Sequence, residues 1–284
     1  MIENQVWLVT GTSSGFGRAI ANAVLAAGGR VVATARDTAA LKDIHEHAPD
    51  RVLPLRVDVT DPATITAAVD VAVAHFGRID VLVNNAGYGY RGAIEESSDR
   101  DLRDLMETNV FGLIAVTKAV LPVMRAQGSG HIVQMSSVGG VRARLGGAPY
   151  ALTKFAVEGL SEGMSYELAP FGIGVTIVEP GPFRTDFAGR SVRWADPLPA
   201  YEPVMAAERT RFEAQNGAQP GDPDRAAAAI LRAVAMDPPP LRLPLGPESF
   251  AGIRATLTER LAELDELESW AADTGFTPAE PDAD

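Results

Sequence analysis

The chain has 284 residues, 46% of them hydrophobic and 22% charged, with a formal charge of -12. That is enough apolar material for one large α/β domain. The acidic balance argues against a nucleic-acid face, which needs clustered Lys and Arg. With no cysteine present, disulfides, zinc–thiolate sites and a cysteine nucleophile are excluded, which fits a reducing compartment. Met1–Gln5 is short and polar, without a basic leader or apolar signal core. No run approaches the roughly 18 apolar residues of a membrane span. The expectation is a soluble cytoplasmic protein without membrane or nucleic-acid partners.

In chain order, short β-branched runs alternate with helical patterns. Val6–Thr10, Arg30–Ala35, Val52–Val57, Val81–Asn84, His131–Ser136 and Val175–Val178 read as buried strands. Helical period falls on Gly17–Ala27, Ala39–His47, Pro62–Phe76, Asp101–Gln127 and Tyr150–Pro170. Thr60-Asp61-Pro62 and Ser98-Asp99 offer caps for the third and fourth of these. Strands and helices alternating at this spacing predict an α/β fold, a doubly wound Rossmann-type parallel sheet covered on both faces. Residues 182–221 lose clean period and read as a long substrate lid. Helical pattern resumes at Asp222–Met236, and Leu241–Leu245 reads as an edge strand that tolerates Pro244. Residues 248–272 read as a docked terminal helix with Ile253, Leu257, Leu261, Leu264, Leu267 and Trp270 on one face. One domain over residues 1–276 is expected, with a disordered tail at 277–284.

Three motifs carry chemistry. Gly11, Ser13, Ser14, Gly15, Phe16 and Gly17 follow the first strand and open the first helix, as G-x-x-x-G-x-G. Such a turn lets the backbone approach a diphosphate seated on free N–H groups and the helix dipole. Asn84-Asn85-Ala86-Gly87 ends the fourth strand; its small residues suit close approach to a flat ring, and its amides can bridge neighbouring strands. Tyr150 and Lys154 stand four apart on one helix face, and Ser137 lies just past a strand end, where open α/β sheets place ligands.

Together with Pro180-Gly181 and Thr185, these motifs resemble the short-chain dehydrogenase/reductase family in its single-domain branch, over residues 6 to about 245. The resemblance implies a seven-stranded Rossmann sheet and a catalytic Asn–Ser–Tyr–Lys set. The Asn falls on Asn109, and the family's interval of thirteen residues before the tyrosine selects Ser137 over Ser136. Tyr150 would be the general acid/base that exchanges a proton with the substrate oxygen, Ser137 would hold that oxygen, and Asn109 would anchor a water leading towards Lys154. Lowering a phenol from about 10 to neutrality takes roughly 4 kcal/mol. One ammonium about 4 Å away supplies that at an effective dielectric near 20, so Lys154 is the expected cause.

The implied reaction is NAD(P)(H)-dependent interconversion of a ketone or aldehyde and an alcohol. The other reading is a non-catalytic NADP-binding sensor on the same fold. For the cofactor, Ala35 occupies the position of the family's NAD-selecting acid and Arg36 follows, suiting a 2′-phosphate. Asp37, twenty residues after Gly17, has the interval of a ribose-binding acid. The balance favours NADP(H) over NAD(H). Asp58-Val59 resembles the family's adenine contact, and Asn85, Ala86, Gly87, Pro180, Gly181 and Thr185 complete the expected cofactor set. Tyr88, Val138, Phe183, Phe187, Trp194 and Tyr201 are candidate substrate-pocket residues. No metal is expected, because His45, His47, His75 and His131 lack ligand spacing. The lid composition suggests a moderately apolar small-molecule substrate, and the residues after the Asn motif and at the lid start resemble the hydroxysteroid dehydrogenase branch. Relatives pair through their fourth and fifth helices, so a homodimer or homotetramer is expected.

Overall fold

The structure is a computed structural model that describes residues 2–276; the tail expected to be disordered lies outside the described residues. The elements run β1 (Val6–Val9), α1 (Gly15–Ala26), β2 (Arg30–Ala35), α2 (Lys42–His47), β3 (Val52–Arg56), α3 (Pro62–Phe76), β4 (Val81–Asn84) and β5 (Gly89–Arg91). There follow α4 (Asp99–Met106), a π-helical segment Glu107–Gly112, α5 (Leu113–Gln127), β6 (Gly130–Met135), α6 (Ala148–Leu168), β7 (Ile173–Pro180) and β8 (Val192–Trp194). The chain ends with α7 (Glu202–Ala214), α8 (Pro223–Val234), β9 (Arg242–Leu245) and α9 (Pro247–Ala271).

Seven strands form one parallel sheet in the order β3-β2-β1-β4-β6-β7-β9. Period-two alternation divides each central strand between two cores. Trp7 and Val9 face one core with Ile20 and Val24 of α1 and Ile230 of α8. Val6 and Leu8 face the other, with Val69 of α3 and Val116 and Val120 of α5. Val9 is in register with Val83, and Val83 with Val133, so the carboxyl ends of β1, β4 and β6 lie level. The strand order reverses between β1 and β4, and a crevice opens outside those ends. Pro244 sits on the edge strand, where a missing N–H is tolerated.

Four expectations change. The fourth helix is not uniform: a π-helical turn interrupts it at Glu107–Gly112 and carries Asn109. Its continuous run Asp99–Gln127 is, by length and composition, apolar enough to cross a membrane, contrary to the sequence reading; 44% of its apolar window is buried inside the fold. Residues 182–221 are not a bare loop, since they hold β8, paired in parallel with β5, and the 13-residue helix α7. Met205 and Glu208 are the buried residues of α7, too few to write an apolar stripe in the sequence. Finally, α9 forms, but its buried residues are Ser249, Gly252 and Thr256 near its start, and beyond them Arg260 Nη2 donates to the Val141 carbonyl at 2.6 Å. Leu257, Leu261, Leu264, Leu267 and Trp270 are exposed on it.

Candidate active site

The turn between β1 and α1 fits a diphosphate. Gly11 and Gly15 adopt φ of +71° and +56°, a region that favours glycine. A Cβ on Gly17 would stand 2.2 Å from the Gly11 carbonyl oxygen, so only glycine lets α1 begin there. Ser14 caps α1 without a side-chain hydrogen bond, and no acidic residue occupies the first turn. The helix start therefore offers N–H groups and positive dipole to an anion. Arg18 braces the turn from behind: its Nε donates to the Thr12 carbonyl at 2.9 Å and its Nη1 to Asp43 at 2.6 Å.

From this turn a cleft of about 520 Å³ runs along the sheet's carboxyl edge. Gly11, Ser13, Ser14, Gly15, Phe16, Arg36, Asp58, Val59, Asn85, Ala86, Gly87 and Thr185 line it. Gly17 stays behind the turn, and Asp37 is not among the lining residues. The Asp37 carboxylate instead accepts from the Ala39 N–H at 2.9 Å and caps the short 3-10 turn that precedes α2. Asp58 is held below the usual carboxylate range, chiefly by the Thr60 N–H and then by its hydroxyl. The Asn motif locks this floor. Asn84 donates to Thr117 and Gln134, while Asn85 Nδ2 reaches the Thr10 and Gly11 carbonyls at 2.8 and 3.1 Å.

A second cavity, about 480 Å³, opens beside the first and shares Phe16, Asn85, Gly87, Tyr88, Thr185 and Phe187 with it. Ser137, Val138, Tyr150, Lys154, Pro180, Gly181 and Phe183 line it. Trp194 and Tyr201, expected in the pocket, are not among its lining residues. Trp194 packs edge-on against Phe212 at 5.8 Å, and the Tyr201 hydroxyl donates to Glu95 at 2.8 Å. Tyr88 stands at the shared mouth beneath the Arg193 guanidinium, 4.5 Å from its ring centroid.

The structure brings Ser137, Tyr150 and Lys154 together. Ser137 caps a 3-10 turn, its Oγ accepting from the Gly139 N–H at 3.0 Å. Tyr150 enters from the first turn of α6 and stacks at 5.5 Å on Phe187. Lys154, one turn on, donates to the Met135 carbonyl at 2.7 Å, and its Nζ lies 5.5 Å from the Tyr150 ring centroid. Burial raises Tyr150 far above the ordinary phenol range; the Ser137 hydroxyl and then the Arg91 guanidinium pull the other way. Lys154 is lowered to about 8 by the same burial, with Glu158 opposing. The expected cause is thus corrected. The ammonium is anchored on a backbone carbonyl, and the groups that oppose Tyr150's rise are Ser137 and Arg91.

Asn109 occupies the π-helical turn beside the pair. Its Oδ1 accepts from the Tyr88 N–H at 3.0 Å, and its Nδ2 donates to the Tyr88 carbonyl at 2.9 Å and to Thr153 at 3.3 Å. It clamps the chain at the pocket mouth. Besides Arg142, Arg144 and Arg211 in the same cavity lining, sequence reasoning missed Arg91. It sits on β5, a three-residue strand too short to leave a period of its own. Among the described residues no group of His, Asp and Glu could hold a metal, and His131 is a core residue whose ring meets Thr176 at 2.9 Å.

A short chain dehydrogenase family profile matches residues 5–196, well over half of the chain. This chain belongs to the short-chain dehydrogenase family. The oxidoreductase BOA17 of Botryotinia fuckeliana is 39% identical over 265 residues, covering 92% of this chain and 96% of the relative. A short-chain dehydrogenase structure from Streptomyces avermitilis superposes with a TM-score of 0.89 at 46% identity, covering 96% of this chain and 99% of the other. One from Burkholderia phymatum, in complex with NAD, gives 0.81 at 27% identity and covers 93% and 96%. Like its relatives, this short-chain dehydrogenase is an NAD(P)-dependent oxidoreductase acting on CH–OH and C=O groups, which sets aside the non-catalytic reading.

Proposed function

We propose that this dehydrogenase reduces the carbonyl of a small molecule, with Tyr150 giving the proton to the carbonyl oxygen. The observation that carries this is the placement of the Tyr150 phenol in the cavity that adjoins the cleft, against the shared Phe187, beside Ser137 and with Lys154 behind it. A nicotinamide dinucleotide bound in the long cleft supplies the hydride. The Ser137 hydroxyl holds the substrate oxygen beside the phenol. Burial keeps Tyr150 protonated at neutral pH, the form that reduction consumes. Lys154, still charged at neutral pH and anchored on the Met135 carbonyl, keeps a cation beside the ring as the phenol gives up its proton.

NADPH is the donor this reading favours. Arg36 lines the cleft without a carboxylate partner among the described residues, and Asp37 is engaged as a cap. The enzyme is read as cytoplasmic and homo-oligomeric, with Phe111 of the π-helical turn and Leu152 and Phe155 of α6 exposed for a second copy. The test follows NADPH absorbance over a panel of ketones and aldehydes with wild type and Tyr150→Phe. The variant should lose at least about 100-fold in turnover, the low end for a general acid. Retention of more than a tenth with a confirmed substrate refutes the assignment.

A further inference from the structure

The cavity that reaches Tyr150 is basic in an acidic protein. Arg91, Arg142, Arg144 and Arg211 line it against two carboxylates, Glu208 and Glu248, whereas the chain as a whole carries a formal charge of -12. We propose that the substrate bears an anionic group, a carboxylate or a phosphate, which seats on Arg91, with Arg142 lining the same cavity, while the carbonyl meets Tyr150. This rests on the carbonyl-reduction reading above and names the substrate class for that site.

Arg91 is held as a preorganised anion site. Its guanidinium lies 4.3 Å from the Phe212 ring centroid, and its Nη1 lies 3.7 Å from Glu208 Oε1. Its Nη1 would stand 3.4 Å from a Cβ on Gly147, the N-cap of α6, and Tyr150 belongs to the first turn of that helix, so the guanidinium lies on the reacting side of the cavity. Stacking on Phe212 removes the flexibility that an arginine otherwise loses on binding a ligand. Its planar fork then matches a carboxylate or phosphate with two parallel hydrogen bonds.

The simpler explanation, that Arg91 exists to neutralise the buried Glu208, does not account for the cluster. Arg211 already holds Glu208 more closely, with Nη2 at 2.6 Å and Nε at 2.9 Å from Oε2. One carboxylate is therefore shared by two guanidiniums. Neither Arg142 nor Arg144 forms an ion pair among the described residues, and Arg142 has the Gly252 carbonyl at 3.5 Å as a side-chain partner. A neutral apolar substrate filling this cavity would strip water from Arg91 and Arg142 without replacing it. An anionic one supplies the missing partner.

The experiment compares matched pairs with NADPH: an oxo acid against its methyl ester, and a hydroxyketone phosphate against the free hydroxyketone. In wild type the charged member should have a kcat/KM at least tenfold above its neutral partner. Arg91→Met should collapse that ratio. Arg142→Gln, in the same cavity lining, should lower it several-fold and serves where Arg91→Met fails to fold. A second readout needs no turnover: Tyr150→Phe, saturated with NADP+ so that the diphosphate turn is filled, is titrated calorimetrically with malonate and with inorganic phosphate. The anion that binds identifies the head group, and binding should vanish when Arg91→Met is added. Neutral members turned over as well as charged ones, or neither anion binding, overturns the anionic-substrate proposal and leaves carbonyl reduction standing. Anion binding with no carbonyl reduced overturns the reductase reading instead.

Discussion

Lys154 sets the alkaline limit of the reaction if the site works as its geometry implies. Burial takes its amine from 10.5 down to about 8, so it is charged at neutral pH with little margin. With that value, about nine-tenths of the enzyme carries the ammonium at pH 7 and about one-tenth at pH 9. Tyr150 is pushed the opposite way and keeps its proton throughout that range. A fall in reductive kcat/KM above pH 8 therefore reports Lys154 and not the phenol. The expected profile bends near pH 8 and approaches a tenfold loss per unit beyond it. Measuring kcat/KM from pH 6 to 10 with NADPH at saturation provides the curve. Lys154→Arg supplies the control, because guanidinium does not titrate there; its rate falls but its bend at pH 8 should disappear. A wild-type profile that stays flat to pH 10, or a bend that survives in Lys154→Arg, refutes this account of the pair.

Three other perturbations probe separate parts of the molecule. Arg36→Ala should raise KM for NADPH at least tenfold and leave KM for NADH within about threefold, consistent with a charge-assisted contact of about 1.5–3 kcal/mol; equal changes for both dinucleotides would count against a 2′-phosphate role. Gly17→Ala should weaken dinucleotide binding at least tenfold in a fluorescence titration, because its methyl would stand 2.2 Å from the Gly11 carbonyl oxygen and 2.6 Å from Asn85 Nδ2; unchanged affinity would show that the turn can move freely. Glu179 is raised from 4.5 to about 7, first by burial and then by Glu158, against the pull of Arg242. The resulting penalty is absent below about pH 4.5, grows as pH rises and is complete above about 7. Glu179→Gln should thus stabilise the fold by about 2–3 kcal/mol at pH 8, and urea unfolding should show that gain vanishing near pH 4.5; a gain independent of pH would assign it to packing.

What the sequence made legible was whatever repeats locally. The six strand runs (of which the edge strand β3 is only partly buried), the capped start of α3 at Asp61 and Pro62, and the glycine turn are each written within a few neighbours. Ser137, Tyr150 and Lys154 were readable because they lie at strand and helix ends whose positions the pattern predicts. β5 and β8 were not readable. They are three residues each and exist because Gly89 pairs with Val192 across a long stretch of chain, a contact that leaves no local period. Arg91 came into the site with that pairing. Asp37 shows the opposite failure, since its spacing matched a ribose ligand while the side chain found a nearer use on the Ala39 N–H. On the last turns of α9 the helical apolar stripe stays exposed among the described residues, because periodicity reports amphipathicity and not what covers it.

The pairing of Tyr150 with Lys154 extends one turn beyond the motif. Glu158 continues the same face of α6, buried like them, and its charge is what opposes the desolvation of Lys154. It does so with incomplete support: Glu158 Oε1 has no hydrogen-bond partner among the described residues, and its Oε2 lies 3.3 Å from Arg242, which also serves Glu162 and Glu179. A carboxylate left partly unsatisfied is itself raised by burial, so each member of the row limits its neighbour. Without the Glu158 charge, as in Glu158→Gln, that opposition to desolvation is lost and Lys154 would lose its proton closer to neutrality. The three-residue row, spaced four apart, is therefore the electrostatic unit of the site, and the cation at its centre depends on the acid one turn further into the helix.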